Sequence, residues 1–163
     1  MTIRDATIKD LESIVKIYNS TIESRMVTAD VEEVTVSSRE KWFLDHSPNF
    51  RPIWVAEEKN IITGWLSFQS FYGRPAYNET VEISIYIHKD HRKKGLGEIL
   101  LLKALNYCPV LNIRTVLGFI FGHNAPSINL FQKHGFKVWG NLPGIAKLDG
   151  IERDVLILGK RIN

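Results

Sequence analysis

The stretch from Thr80 to Leu102, TVEISIYIHKDHRKKGLGEILLL, leaves few folds open to this chain. Val81, Ile83, Ile85 and Ile87 alternate with Glu82, Ser84, Tyr86 and His88. That period of two predicts a strand with one apolar face over Thr80 to Ile87. Leu96, Ile99, Leu100 and Leu105 then recur at helical spacing, with few breakers before Cys108-Pro109, and predict an amphipathic helix from about Gly95 to about Asn106. Between the two lies a basic turn, Arg92-Lys93-Lys94, followed by Gly95-x-Gly97. Backbone N–H groups at a helix start, with glycines that let an anion come close and a dipole that attracts it, make a phosphate cradle.

Other glycine motifs fit poorly. A dinucleotide fingerprint needs a third glycine where this chain has Leu100, and a P-loop needs Lys-Ser/Thr where Gly97 is followed by Glu98. A second segment adds to the first. Thr115 to Phe121 predicts a short apolar strand ending at Gly122. Asn124 then caps a helix that tolerates Pro126 in its first turn and stops at Gly135.

Arg92-x-x-Gly95-x-Gly97 after a strand, followed by Asn124-x-x-Ser127 and Gly135-Phe136, resembles the two cofactor segments of the GNAT superfamily of N-acetyltransferases. Arg74, Ala76, Tyr77, Thr80 and Glu82 match the pattern R-x-A-Y-x-x-T-x-E of its phosphinothricin and methionine sulfoximine acetyltransferase branch. With Tyr18-Asn19 and Gly150…Asp154-Val155, the similarity covers nearly the whole chain.

The resemblance implies an acetyl-CoA-dependent enzyme that acetylates the α-amine of a small amino-acid-like substrate by direct transfer in a ternary complex. It places the cofactor on Ile85, Tyr86, Ile87, Arg92, Lys93, Lys94, Gly95, Leu96, Gly97, Glu98, Asn124 and Ser127, the catalytic carboxylate at Glu82, and substrate contacts at Arg74 and Tyr77. It also implies a homodimer. Two alternatives stand beside it: a non-catalytic acyl-CoA-binding sensor, and an acetyltransferase for a protein N-terminus or an aminoglycoside.

The chemistry of these residue types is consistent with transfer to an amine. An ammonium must lose a proton before it attacks a thioester, and a glutamate near its ordinary pKa of about 4.3 is a weak base unless burial raises it or a water relays the proton. A backbone N–H near Ile85 is the expected oxyanion donor. Many acetyltransferases carry a tyrosine acid in the second cofactor helix, where this chain has Phe131, so Tyr86 or a water is left to protonate the leaving thiolate. A guanidinium suits a carboxylate or phosphinate, which favours Arg74, with Arg25 a weaker candidate. The branch often has an aromatic residue just before Asp-Val, whereas this chain reads Glu152-Arg153-Asp154-Val155, so the acceptor stays open.

The rest of the chain sets limits. Its 163 residues, 44% hydrophobic, suit a single domain over 1–163. A net charge of +3 is mild and there is no long basic helix with interleaved aromatics, which argues against nucleic acid. No membrane segment or targeting signal is evident, so the expected compartment is cytoplasmic. The lone Cys108 reads as packing, His88-x-x-His91 lacks a third ligand and predicts no metal, and His123 is expected to shape the cofactor loop.

The element order predicts a mixed, mostly antiparallel α/β sheet with helices on both faces. Ile3 belongs to a first strand. A helix begins at Thr7/Asp10 with the stripe Leu11, Ile14, Val15, Tyr18 and Ile22, and a second helix starts from a Ser37/Glu40 capping box. Ile53–Ala56 and Ile61–Phe71 form a hairpin, and Phe136–Asn141 and Asp154–Leu158 are the last strands.

Overall fold

The computed structural model describes residues 1–163. Seven strands form one sheet: β1 (Thr2–Asp5), β2 (Ile53–Glu58), β3 (Ile61–Ser70), β4 (Thr80–Ile87), β5 (Thr115–Phe121), β6 (Lys137–Leu148) and β7 (Ile151–Arg161). Their order is β1-β2-β3-β4-β5-β7-β6. Every pairing is antiparallel except β4 with β5. Four helices cover the sheet: α1 (Leu11–Ile22), α2 (Val36–Leu44), α3 (Leu96–Tyr107) and α4 (Ala125–Lys133).

The alternation in β4 sorts the two faces. Val81 and Ile83 join Leu100, Leu101 and Ala104 of α3 and Phe131 of α4 in the larger core. On the other face Ile14 and Ile17 of α1 pack with Ile53, Val55 and Trp65, and the Trp65 indole N–H donates to the Ile14 carbonyl at 3.1 Å. Glu82, Ser84 and Tyr86 therefore point toward α1 and α2, on a strand covered on both sides.

One feature of the sheet creates space. β4 pairs with β5 only from Thr80 to Glu82, opposite Thr115 to Leu117, while β3 follows β4 as far as Ile87 and β7 follows β5 to Phe121. Beyond Glu82 the sheet splits, and β4 backbone from Ile83 onward has no strand partner on its β5 side.

Several expected elements differ in detail. The second helix is capped by Thr35 rather than by a Ser37/Glu40 box: Thr35 is extended and its hydroxyl accepts from the Ser38 N–H at 3.2 Å, so the helix starts at Val36. Ile99 lies outside the buried stripe of α3, which runs through Leu96, Leu100, Leu101 and Ala104. A short 3-10 turn, Ile8–Asp10, precedes α1, and the Asp10 carboxylate accepts from the Thr7 N–H at 2.7 Å. The final strands are much longer than expected and form one hairpin. Its turn, Asp149-Gly150, has positive φ at both residues (51° and 81°), as two-residue hairpin turns require.

Candidate active site

Two clefts flank β4. The first, of about 210 Å³, lies between the sheet and the α1–α2 pair. Its apolar wall is Ile14, Val15, Val34, Trp42 and Trp65, and its polar groups include Glu82, Ser84, Gln69, Arg39 and the phenols of Tyr18 and Tyr86. The second, of about 150 Å³, occupies the split between β4 and β5. Ile83 to Ile87, Phe119 to Phe121, Gly97 of α3 and Asn124, Ser127, Leu130 and Phe131 line it. Ser84 and Tyr86 line both clefts, so the two meet at these residues.

Glu82 stands in the first cleft opposite Gln69 of β3. It makes no ion pair, and burial alone pushes its carboxyl above the usual range, because the charged form loses hydration without gaining a partner. Tyr86 stacks on Trp65 with ring centroids 4.5 Å apart and lies 5.1 Å from the Tyr18 ring. Burial, with the acidic groups around it, drives its phenol far above the ordinary value, so it keeps its proton at every working pH.

The second cleft gathers Ile85, Tyr86, Ile87, Gly97, Asn124 and Ser127 of the expected cofactor set. Asn124 is nearly buried: its Oδ1 accepts from the Ser127 N–H at 3.3 Å and its Nδ2 donates to the Met26 carbonyl at 3.0 Å, so it both caps α4 and holds the loop after α1. His123 Nε2 is 2.8 Å from the Arg25 carbonyl oxygen, tying the same loop.

The remaining expected cofactor residues lie around the start of α3, outside the cleft wall. Gly95 caps the helix in the left-handed region (φ 79°), and Lys93 is also left-handed (φ 59°). Arg92 Nε donates to the Ile87 carbonyl at 3.1 Å, while its buried Nη2 has no partner. Lys94 donates to the Asp90 carbonyl at 2.9 Å. The Leu96 side chain is in the core, and Glu98 pairs with Lys133 and His134 of the α4 end, each at 2.7 Å. Leu96 and Glu98 thus have only their backbone N–H groups to offer an anion.

A phosphate-bearing group fits this helix start on two observations. The Arg92 Nη2 is an orphaned buried donor, and a β-carbon at Gly97 would meet only Leu130 Cδ2, at 3.6 Å. The fold itself does not need a glycine there.

Arg74 and Tyr77 are not brought to Glu82. Both are exposed on the loop between β3 and β4, and neither lines the first cleft. Buried Arg51 anchors that loop, donating to Ser70 Oγ and the Asn78 carbonyl, both at 2.9 Å. Arg25 is already engaged, paired with Asp149 at 2.9 Å. Phe131 closes the inner end of the second cleft, where Gly118 makes room for its ring: a β-carbon at 118 would lie 2.7 Å from Phe131 Cε1. Sequence reasoning missed Arg39, Trp42, Trp65 and Gln69 as cleft residues.

Cys108 is fully buried at the end of α3, and burial pushes its thiol up to about 12. It lines neither cleft. In native protein at pH 7.5, a thiol reagent should therefore label Cys108 only slowly, with full labelling after denaturation. Rapid native labelling, counted by mass, would contradict the packing described.

An anion-ready helix start beside a split parallel strand pair, with a half-buried carboxylate on the adjoining face, is an acyl-transfer architecture. The sequence profile of the Acetyltransferase (GNAT) family matches residues 12–136, and the chain belongs to that family. Over their full lengths (100% of each chain), it is 54% identical to a Bacillus subtilis protein named "Putative phosphinothricin acetyltransferase YwnH". It is 30% identical to the L-methionine sulfoximine/L-methionine sulfone acetyltransferase of Salmonella typhimurium, over 90% of this chain and 85% of that one. The crystal structure of a phosphinothricin acetyltransferase from Sinorhizobium meliloti in complex with AcCoA superposes with a TM-score of 0.93 at 28% identity, covering 99% of this chain and 88% of that one. The protein is an acetyltransferase.

Proposed function

We propose that the protein transfers an acetyl group to the α-amine of a small amino acid of the phosphinothricin or methionine sulfoximine type. The observation that carries this reading is the meeting of two unlike clefts at Ser84 and Tyr86. One offers an unpaired carboxylate with room for a small polar amine, and the other opens along free β4 backbone toward the start of α3. The names of its relatives agree in acceptor class.

Acetyl-CoA is the acetyl donor and supplies the acyl group as a thioester. The N–H groups of α3's first turn, with Arg92, hold its phosphates, and Asn124 and Ser127 position α4 beside it. Glu82, raised by burial, takes the amine's proton through a water. Unpaired β4 N–H groups near Ile85 face the reacting carbonyl oxygen. With Tyr86 held in its protonated form by burial and Phe131 at the usual tyrosine position, a water supplies the proton to the departing sulfur. Direct transfer fits the buried Cys108, which is no nucleophile.

No helix is long and apolar enough to cross a membrane. We place the enzyme in the cytoplasm, as a homodimer that covers the exposed Val138, Trp139, Ile145 and Ile151 of the β6–β7 hairpin.

An acetyl-CoA consumption screen across amino-acid analogues, polyamines, aminoglycosides and peptides tests the acceptor. Phosphinothricin and methionine sulfoximine should head the ranking in kcat/KM. Peptide N-termini or polyamines in first place would overturn the acceptor while leaving the family intact.

A further inference from the structure

Arg39 is the one cation on the wall of the Glu82 cleft, and the acceptor reading above gives it no task. It projects from the middle of α2, with its guanidinium 5.1 Å above the Tyr18 ring. Its Nη2 donates to Asp30 Oδ2 at 3.0 Å, and Asp30 in turn accepts from the Tyr18 hydroxyl. This one contact leaves Nε and Nη1 without a protein partner. The side chain is held in place from one side and available from the other, as a guanidinium that is to receive a carboxylate must be.

The relation to Glu82 is the decisive point. Arg39 and Glu82 share a cleft and no ion pair joins them. Tyr86 lines the same cleft as both, and Glu82 is raised by burial with no cation offsetting it. An α-amino acid carries an ammonium and a carboxylate on one carbon, and so needs a base and a cation that face one space without quenching each other. An acceptor with a cation in place of the carboxylate, such as a polyamine, would meet repulsion at Arg39.

We propose that Arg39 is the specificity-determining residue of the acceptor site, pairing with the α-carboxylate and so restricting the enzyme to free amino acids. This rests on the acceptor reading given above. Arg74, exposed on its loop, does not read that group within the chain.

The test is the ratio of kcat/KM for methionine sulfoximine to that for its carboxyl methyl ester, measured in wild type, R39Q, R39K, D30N and R74Q. Wild type should prefer the acid, and R39Q should lose about 10- to 100-fold of that preference, mostly through KM, the size expected for a charged hydrogen-bonded pair. R39K keeps the charge without the fork and should fall between the two, which decides the matter even if R39Q folds poorly. D30N should lose less of the acid preference than R39Q, because it loosens Arg39 without removing its charge.

An unchanged ratio in R39Q or R39K overturns the inference. So does an equal loss in D30N, which would make Arg39 a mere support for Asp30 and Tyr18, or a loss carried by R74Q alone. Wild type with no turnover on either compound overturns the acceptor reading itself, and this inference with it.

Discussion

Replacing Glu82 by Gln should lower kcat by about 10²- to 10⁴-fold, the range general-base groups contribute, while acetyl-CoA affinity stays unchanged. Gln keeps the shape of the side chain and removes its capacity to take a proton. The pH profile gives the sharper signature. Because burial raises the Glu82 pKa above its ordinary value, wild-type kcat/KM should fall on the acid side as pH drops through that raised value. In E82Q this limb should vanish, leaving only the rise from deprotonation of the amine itself.

The stability sign runs opposite to the activity. A carboxyl whose pKa is raised in the folded state contributes stability that is present below the unfolded value and lost as pH rises through the folded one. At neutral pH Glu82 therefore costs stability, and E82Q should melt at the same temperature or higher. A slow, stable, cofactor-binding variant marks Glu82 as the base. Equal and negligible rates in both proteins across all amines would favour a cofactor-binding sensor instead.

How much of this was readable beforehand follows from the range of each interaction. The alternation of Val81 to Ile87 and the Asn124 cap are local, and each is where its pattern predicts; Gly95, expected as the first helical residue, is instead the left-handed cap before Leu96. The Asp149-Gly150 turn was not read from the sequence, and the strands it joins run well beyond the expected Phe136–Asn141 and Asp154–Leu158. The acceptor cleft is different. Arg39 reaches the Glu82 face only because α1 packs on Val55 and Trp65 and carries α2 with it, so residues far apart in sequence form one wall. α2 buries no residue fully, and its pattern gave no sign that one face lines a site. A backbone N–H near Ile85 free to hold an oxyanion was expected, but the point where pairing ends was not legible: β4 keeps alternating and β5 stays apolar past Glu82 and Leu117, and only register shows the opening.

Gly97→Val is expected to abolish acetyl-CoA binding while the protein stays folded, and the two halves of that outcome have separate causes. Gly97 does not have positive φ, and the nearest protein atom to a β-carbon there is Leu130 Cδ2 at an ordinary 3.6 Å. Valine costs the helix little beyond its branched side chain, and that is partly offset by the entropy glycine loses on folding. What the valine methyls would fill is the second cleft, which Gly97 lines beside Ile85 to Ile87. Thermal unfolding with and without acetyl-CoA separates the two effects. At a hundredfold excess over Kd, a ligand stabilises the folded state by about 2.7 kcal/mol, and G97V should lose this shift while its unliganded Tm stays close to wild type. Lys94→Ala should weaken binding only moderately, because its ammonium is already bonded to the Asp90 carbonyl and the phosphate contacts rest on backbone N–H groups. Wild-type affinity in G97V would place the cofactor away from the start of α3, and the split sheet would then need another occupant.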